Sequence, residues 1–290
     1  MKKPTPPPCR LAELYDRILN SLRDMDEDHR SSVIRALAGG LDDPEYRPWE
    51  YYFRAEPVPE GLTREAWWCA VRSARATTAR PTPFTMKDAT PLTFNLPDVL
   101  LSLNEDITAQ ARGQVELPGE VATEAARDRY LINSLYEEAI TSSQMEGAST
   151  SRRDAKKMLR EGRRPQTRSE RMIRNNFLAL EFVRGRLMDK LTPEFICEVH
   201  RIVTEGTLDD PGDAGRLQRE GEGRVRIYGT ENEEQPLHVP PSASELPERL
   251  EHLCSFVNGE GEYATQYVPP LVRALIVHFM MGYDHYFVDG

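Results

Sequence analysis

The sequence predicts a mainly α-helical protein, and three observations carry that expectation. Apolar residues recur at helical spacing through most of the chain. The helix-length runs are bounded by capping residues and by glycine or proline stops. Only around residues 224–228 and 237–239 do side chains alternate as they do in a strand. With 290 residues the chain has room for one large or two modest domains and a substantial core.

The elements follow in order. Leu11, Leu14, Tyr15, Ile18, Leu19 and Leu22 form one apolar stripe, as an amphipathic helix requires. A second helix is predicted over 32–37, ended by Gly39-Gly40. Thr63 reads as the N-cap of a helix through Trp67, Trp68 and Val71, with Glu65 well placed near its positive end. Trp49, Tyr51 and Tyr52 are expected to join Trp67 and Trp68 in the core of this N-terminal part. From 76 to 93 the composition shifts to Thr, Pro and Ala, and Pro81, Pro83 and Pro91 argue against a regular element, so this stretch reads as a linker.

Helical patterns resume over 96–111 and 121–145, with Gly147 placed to stop the second. Further helices are predicted over 152–160 and 169–187, separated by Gly162 and Pro165. Thr192-Pro193 pairs an N-cap with a proline in the first turn and opens a helix through Phe195, Ile196, Val199 and Ile202. The strand-like runs 224–228 and 237–239 flank a polar turn at 230–235 and predict a β-hairpin, closed by Pro240-Pro241. A helix over 246–257 follows. Pro269-Pro270 opens the last one, apolar almost all round, which predicts burial on every side and makes His278 a core histidine.

Bulk properties narrow the function. Lys and Arg number 37 against 47 Asp and Glu, a net charge of −10, which disfavours generic nucleic-acid binding. Cys9, Cys69, Cys197 and Cys254 are scattered without metal-ligand spacing and read as reduced thiols, so a cytoplasmic location is expected. The first residues lack the apolar core of a secretory signal, and the apolar stretch 274–281 is too short to span a bilayer, so no membrane partner is expected. Residues 152–174 hold ten Lys or Arg against three acidic residues, and read as a solvated helix face or a partner-docking surface. His200 and His238 have no evident metal companions in the sequence.

The chain ends His285-Tyr286-Phe287-Val288-Asp289-Gly290. This resembles the opening of the Fic-family signature, H-x-F-x-(D/E)-G-N-(G/K)-R, matched at His285, Phe287, Asp289 and Gly290. The remaining Asn, Gly and Arg fall beyond residue 290, so the sequence reads as part of a longer chain that, as written, would be inactive or very weak. Tyr286 stands where the family usually has Pro, which fixes backbone φ, and a less constrained turn is expected. Ser142-Ser143-Gln144-Met145-Glu146-Gly147 resembles the family's inhibitory motif, (S/T)-x-x-x-E-(G/N), matched at Ser142, Glu146 and Gly147. Gly215-Arg216-Leu217-Gln218 resembles a Gly-x-x-Arg element with Gln218 where Arg is expected; whether Arg219 substitutes by a one-residue shift stays open.

The resemblance implies a fold and a chemistry. The fold is a Fic-like helical core around a buried central helix, over 96–290, with a small β-hairpin flap. Residues 1–95 form an N-terminal helical extension and linker, similar to the extension of a bacterial Fic subgroup. The activity implied is protein AMP transfer from ATP to a Ser, Thr or Tyr hydroxyl of a target protein. His285 would be the general base, Asp289 the Mg²⁺ ligand and Gly290 the start of the phosphate-binding turn. Glu146 would be an internal brake, competing with the ATP γ-phosphate for an arginine late in the signature. Val225, Arg226, Ile227 and Tyr228 would belong to the flap that docks the target. The alternatives are a non-catalytic interaction module and a hydrolase that removes AMP. Nucleic acid would enter only through a helix-turn-helix such as follows the core in many members. The oligomeric state, homo-oligomer included, stays open.

Overall fold

The computed structural model describes residues 5, 7–41, 43–111, 124–229, 232–264 and 267–288. They are mainly helical, as predicted, with two small two-stranded sheets. The chain divides into two compact units, one of Met1–Arg112 with Tyr228–Leu237, the other of Gly113–Ile227 with His238–Gly290.

In the first unit α1 (Leu11–Ser21), α2 (Glu27–Gly39) and α3 (Trp49–Arg54) pack against α4 (Arg64–Thr77). Thr63 caps α4 as predicted, its side chain accepting from the Ala66 N–H. The core holds Leu14, Ile18, Val33, Trp49, Tyr52, Trp68 and Val71, with Trp67 packed against it. Tyr51, expected with the other aromatics, is 39% exposed, whereas Trp49, Tyr52, Trp67 and Trp68 gather as predicted at this unit's centre. Beneath it the Asp43 carboxylate is buried, accepting from the Tyr52 hydroxyl (2.5 Å), the Arg75 guanidinium (2.9 Å) and the Arg47 N–H (2.7 Å).

The linker expected over 76–93 is instead a β-hairpin. β1 (Arg80–Thr85) pairs antiparallel with β2 (Pro91–Phe94) in the register Arg80↔Phe94, with an irregularity between Pro81 and Thr85. A two-stranded sheet is all edge, so a proline whose missing N–H would face outward costs no ladder bond. The Thr82 hydroxyl donates to the Leu92 carbonyl (2.8 Å) and Asp88 accepts from the Thr90 N–H (3.1 Å), closing the turn. α5 (Asp98–Ala111) follows.

In the second unit α8 (Arg168–Arg184) packs between α6 (Glu124–Met145) and α9 (Pro193–Thr204), with α7 (Arg152–Glu161) against α6 and α8. Ile140, Ala148, Ala155, Met158 and Ile173 are the core of this corner. Ser151, Thr167 and Thr192 cap α7, α8 and α9 through their side-chain oxygens, and Pro193 sits in the first turn of α9 as predicted. α10 (Leu246–Asn258) packs against α9 and against α11 (Pro270–Asp284).

α11 departs from its prediction. Ile276, Met280 and Asp284 are buried, whereas Leu275 is 60% and Phe279 47% exposed, and His278 is exposed rather than a core residue. The described residues cover the α10-facing side of this helix, and its apolar pattern extends beyond that side.

β3 (Ile227–Gly229) and β4 (Asn232–His238) form the second sheet. Pairing begins three residues later than the alternation of 224–228 suggests, because Arg224 turns inward to bond carbonyl groups. β4 takes in part of the predicted polar turn, of which Thr230 and Glu231 lie outside the described residues. Among the described residues no helix is long and apolar enough to cross a membrane.

Candidate active site

α11 ends where the terminal motif begins. His285 caps it, its N–H bonded to the Met281 carbonyl (3.1 Å) and its backbone in the left-handed region at φ 47°, ψ 69°. Residues other than glycine are uncommon there, histidine less so than most, and the conformation costs roughly 1–3 kcal/mol. The imidazole Nδ1 lies 3.0 Å from the Phe287 carbonyl oxygen. A carbonyl only accepts, so Nδ1 carries a proton, and in the neutral tautomer this leaves the lone pair on Nε2.

The loop that follows is pinned from several directions. The Phe287 ring stacks on His200 of α9, centroids 3.7 Å apart and planes 4° from parallel. His200 Nδ1 in turn accepts from the Gly215 N–H (2.9 Å). Gly215 cannot easily be another residue. Its φ is +77°, and a Cβ would lie 2.9 Å from Arg201 Cβ and 3.1 Å from the Cys197 carbonyl oxygen. Three residues on, the Gln218 N–H donates to the Tyr286 carbonyl (2.9 Å).

Two charges flank His285, the half-buried Arg224 and the buried Asp284. The Arg224 guanidinium donates to the carbonyls of Pro241 (2.8 Å), Asp284 (2.6 Å) and His285 (3.1 Å), and to the Gln218 side-chain oxygen. Burial lowers its pKa from the ordinary arginine value, and the nearby Asp284 charge works the other way. The Asp284 carboxylate is 1% exposed and accepts from Arg249 Nε (2.7 Å) and from the Tyr286 hydroxyl (2.7 Å). Burial, then the Asp284 charge and hydrogen bond, push the Tyr286 phenol far above its usual range. Tyr286 is therefore fixed by burial and a side-chain bond, contrary to the looser turn expected where the family has Pro.

The Ser142–Gly147 segment closes α6 and faces the same space. The Glu146 N–H donates to Ser142 (3.2 Å), Gly147 to Gln144 (3.1 Å) and Ala148 to Ser143 (2.9 Å), with Gly147 at φ +93°. This tight C-terminal turn needs the glycine for its φ, and a Cβ at Gly147 would meet nothing within 4 Å. Glu146 is exposed, and among the described residues its carboxylate has no partner.

His285, Glu146 and Gly147 line one cavity of about 590 Å³. Its other walls are polar at Ser143, Arg168, Ser169, Asn176, Thr204 and Thr207, and apolar at Met172, Val203, Leu208, Val225 and Val288. Both the size and this mixture suit a small organic ligand with a few polar anchors. Ser142 is not among the lining residues; its neighbour Ser143, 3% exposed and bonded by Asn176 Nδ2 (3.4 Å), is. Of the predicted flap residues Val225 reaches the cavity wall, while Arg226, Ile227 and Tyr228 are exposed. Asp289 and Gly290 lie outside the described residues. Among the described residues no cluster of three His, Cys, Asp or Glu could hold a metal.

Sequence reasoning missed the roles of Arg168 and Arg224 and assigned none to Gln218. The Arg168 guanidinium is fastened to the Thr207 carbonyl through Nε (3.1 Å) and Nη2 (2.9 Å), leaving a cation on the cavity wall. In the basic stretch around it, Arg152 pairs with Glu137, Arg163 with Glu170, and Arg171 donates to the Gly206 carbonyl. Much of that charge is thus tied up within the unit. At the Gly-x-x-Arg-like element it is Gln218 that is buried at the loop, while the Arg219 N–H serves Glu222. Arg224, six residues after Gln218, brings a guanidinium to the Gln218 side-chain oxygen. His238 is likewise a structural contact, its Nε2 2.7 Å from the Tyr283 carbonyl.

Comparison with known proteins bears on the fold. Residues 190–290 match the Fic/DOC family. No curated protein matches the chain. Among solved structures, Fic-1 from C. elegans is 16% identical with a TM-score of 0.51, covering 97% of this chain and 79% of its own. A Fic domain-containing signaling protein from Bacteroides thetaiotaomicron is 18% identical with a TM-score of 0.51, covering 64% of this chain and 66% of its own. A Fic family protein from Desulfovibrio desulfuricans is 20% identical with a TM-score of 0.47, covering 66% of this chain and 52% of its own. The chain thus spans about half the length of the Desulfovibrio protein. At these identities the likeness concerns the fold.

Proposed function

Starting from the Fic/DOC domain that residues 190–290 carry, we propose that the protein transfers AMP from ATP to a hydroxyl side chain of a target protein in the cytoplasm. The observation that supports this best is the shared cavity of His285 and Glu146, a base candidate and a charged brake candidate on one ligand-sized space.

In this reading His285, oriented by the bond from Nδ1 to the Phe287 carbonyl, accepts the target hydroxyl proton at Nε2. The hydroxyl oxygen attacks the α-phosphorus, and the bond to pyrophosphate breaks. Asp289 would hold Mg²⁺ and Gly290 would begin the phosphate-binding turn. A lone carboxylate completed by phosphate oxygens and water suits Mg²⁺. When bound, Mg²⁺ supplies charge neutralisation at the phosphates. Val225, Arg226, Ile227 and Tyr228 would align the target segment along β3. Glu146, with Ser142 and Gly147 shaping its turn, would hold the nucleotide's terminal phosphate away by like-charge repulsion and by occupying an arginine. The same unpartnered carboxylate could instead orient a water, which makes removal of AMP the second reading.

The test is intact-mass spectrometry of the full-length protein carrying Glu146→Gly after incubation with Mg²⁺-ATP, with His285→Ala added as control. One AMP adduct that disappears in the control supports the transferase reading. Nucleotide binding without an adduct points to another donor or target. Neither binding nor adduct favours an interaction module.

A further inference from the structure

We infer that Arg224 is the positioning residue of the His285 loop, and that Gln218 aligns it in place of the arginine expected at position 218. The inference deepens the proposed function, since it rests on His285 being the reacting group. Three facts carry it. The guanidinium reaches the carbonyls of both Asp284 and His285, the two residues that span the end of α11 and the start of the loop. Its other edge is held by the Pro241 carbonyl and the Gln218 side-chain oxygen. Gln218 is itself anchored, its Nε2 donating to the Gly223 carbonyl (2.7 Å) and its N–H to the Tyr286 carbonyl.

A helix end leaves its last carbonyls without intrahelical partners, and a buried carbonyl without a partner is costly. Arg224 supplies donors to those at Asp284 and His285. A planar guanidinium fixed on two sides holds them in one orientation, which a flexible ammonium cannot do. The neighbouring Val225 lines the cavity and Ile227 opens β3, so the same anchor fastens the start of the candidate flap to the base-bearing loop. The strained backbone of His285 is therefore maintained from a segment some sixty residues earlier, |i−j| = 61.

The test uses Arg224→Gln, Arg224→Lys and the exchange Gln218→Arg with Arg224→Gln, in the full-length protein. The primary readout is the histidine imidazole ¹H–¹⁵N spectrum, with His285→Ala used for assignment. The Nδ1-protonated signature of His285 is expected to be lost or averaged in both single variants and restored in the exchange, while those of His200 and His238 stay unchanged. If AMP transfer is established, kcat is expected to fall about a hundredfold in the single variants with nucleotide KM within about threefold, as misplacement of a reacting group predicts. A folded Arg224→Lys or Arg224→Gln protein with an unaltered His285 signature overturns the inference. So does an exchange variant that folds without restoring it. Because the spectrum needs no turnover, failure of the transferase reading is distinguishable from failure of this one. Should Arg224→Gln not fold, Arg224→Lys and the exchange variant decide.

Discussion

His200 and Phe287 lie flat against each other, ring centroids 3.7 Å apart, and so join α9 to the loop that follows α11. A stacked aromatic pair contributes about 0.5–1.5 kcal/mol beyond its buried area. Phe287 is 5% exposed, so Phe287→Ala also leaves a cavity, and a loss of roughly 3–5 kcal/mol is expected in urea unfolding. Phe287→Tyr keeps the stack and is expected to lose far less. Equal losses in the two variants would mean that the stack is not what holds the loop.

Gly215 supports that stack through the N–H it gives to His200. Gly215→Ala brings a Cβ to 2.9 Å from Arg201 Cβ at a positive φ, and backbone strain alone is expected to cost roughly 1–3 kcal/mol. The comparison is Gly221→Ala, also at positive φ but with nothing within 4 Å of the added Cβ. A smaller loss at Gly221 than at Gly215, read as the shift in denaturation midpoint, is the expected outcome. Similar losses would show that φ, not close approach, makes Gly215 necessary.

The Tyr286 hydroxyl donates to the buried Asp284 carboxylate, so Tyr286→Phe is expected to cost about 1–3 kcal/mol near neutral pH. The phenol's folded-state pKa is raised, by burial first and by Asp284 next. A raised pKa gives stability that is fully present below the unfolded tyrosine value of about 10 and is lost as pH rises above it. The stability gap between the wild type and Tyr286→Phe is therefore expected to narrow above pH of about 10. Parallel stability curves for the two proteins through that range would contradict the burial argument.

Asp43 sets the opposite limb. Burial by itself would raise its pKa, but the Tyr52 hydroxyl, the Arg47 N–H and the charges of Arg75 and Arg47 outweigh it and hold the carboxyl below its ordinary range. A lowered pKa gives stability that is present above the unfolded aspartate value of about 3.9 and is lost as pH falls through the folded value. Asp43→Asn is expected to flatten the acid limb of the thermal midpoint below pH of about 4 and to lower the plateau at neutral pH. An unchanged acid slope would place the acid sensitivity elsewhere.

What the sequence made legible follows from the range of the interactions involved. Helices and their caps are local, so Thr63, Thr192 and Pro193 announce themselves. The paired motifs around Glu146 and His285 were legible as patterns, and the fold brings both to one cavity. The hairpin Arg80–Phe94 was hidden because proline signals a break, while a two-stranded sheet has edges where proline does no harm. Arg224 was hidden for a different reason. Its position within an alternating run made it look like a strand residue facing water, and only the carbonyls at Asp284 and His285, far along the chain, reveal why it turns inward. His200 likewise looks ordinary until Phe287 arrives in space, and Gln218, noted only as a departure from a motif, gains its role from its bond to Tyr286.

Glu146 offers the sharpest functional prediction. Its side chain is exposed, it follows the last residue of α6, and its carboxylate has no partner among the described residues, so removing it breaks no hydrogen bond or ion pair among them. The tight turn depends on Gly147 at φ +93° and on backbone bonds, none of which needs the carboxylate. Glu146→Gln keeps the shape and removes the charge, while Glu146→Gly removes both. If the charge is the brake, both variants are expected to raise AMP incorporation by the full-length protein about tenfold or more, a barrier change of ~1.4 kcal/mol. If the side chain blocks by its bulk, only Glu146→Gly gains. The unfolding midpoint of both variants is expected to match the wild type, which separates relief of inhibition from a change in fold. Loss of AMP removal together with unchanged AMP transfer would instead make Glu146 the water-orienting group of the hydrolytic reading.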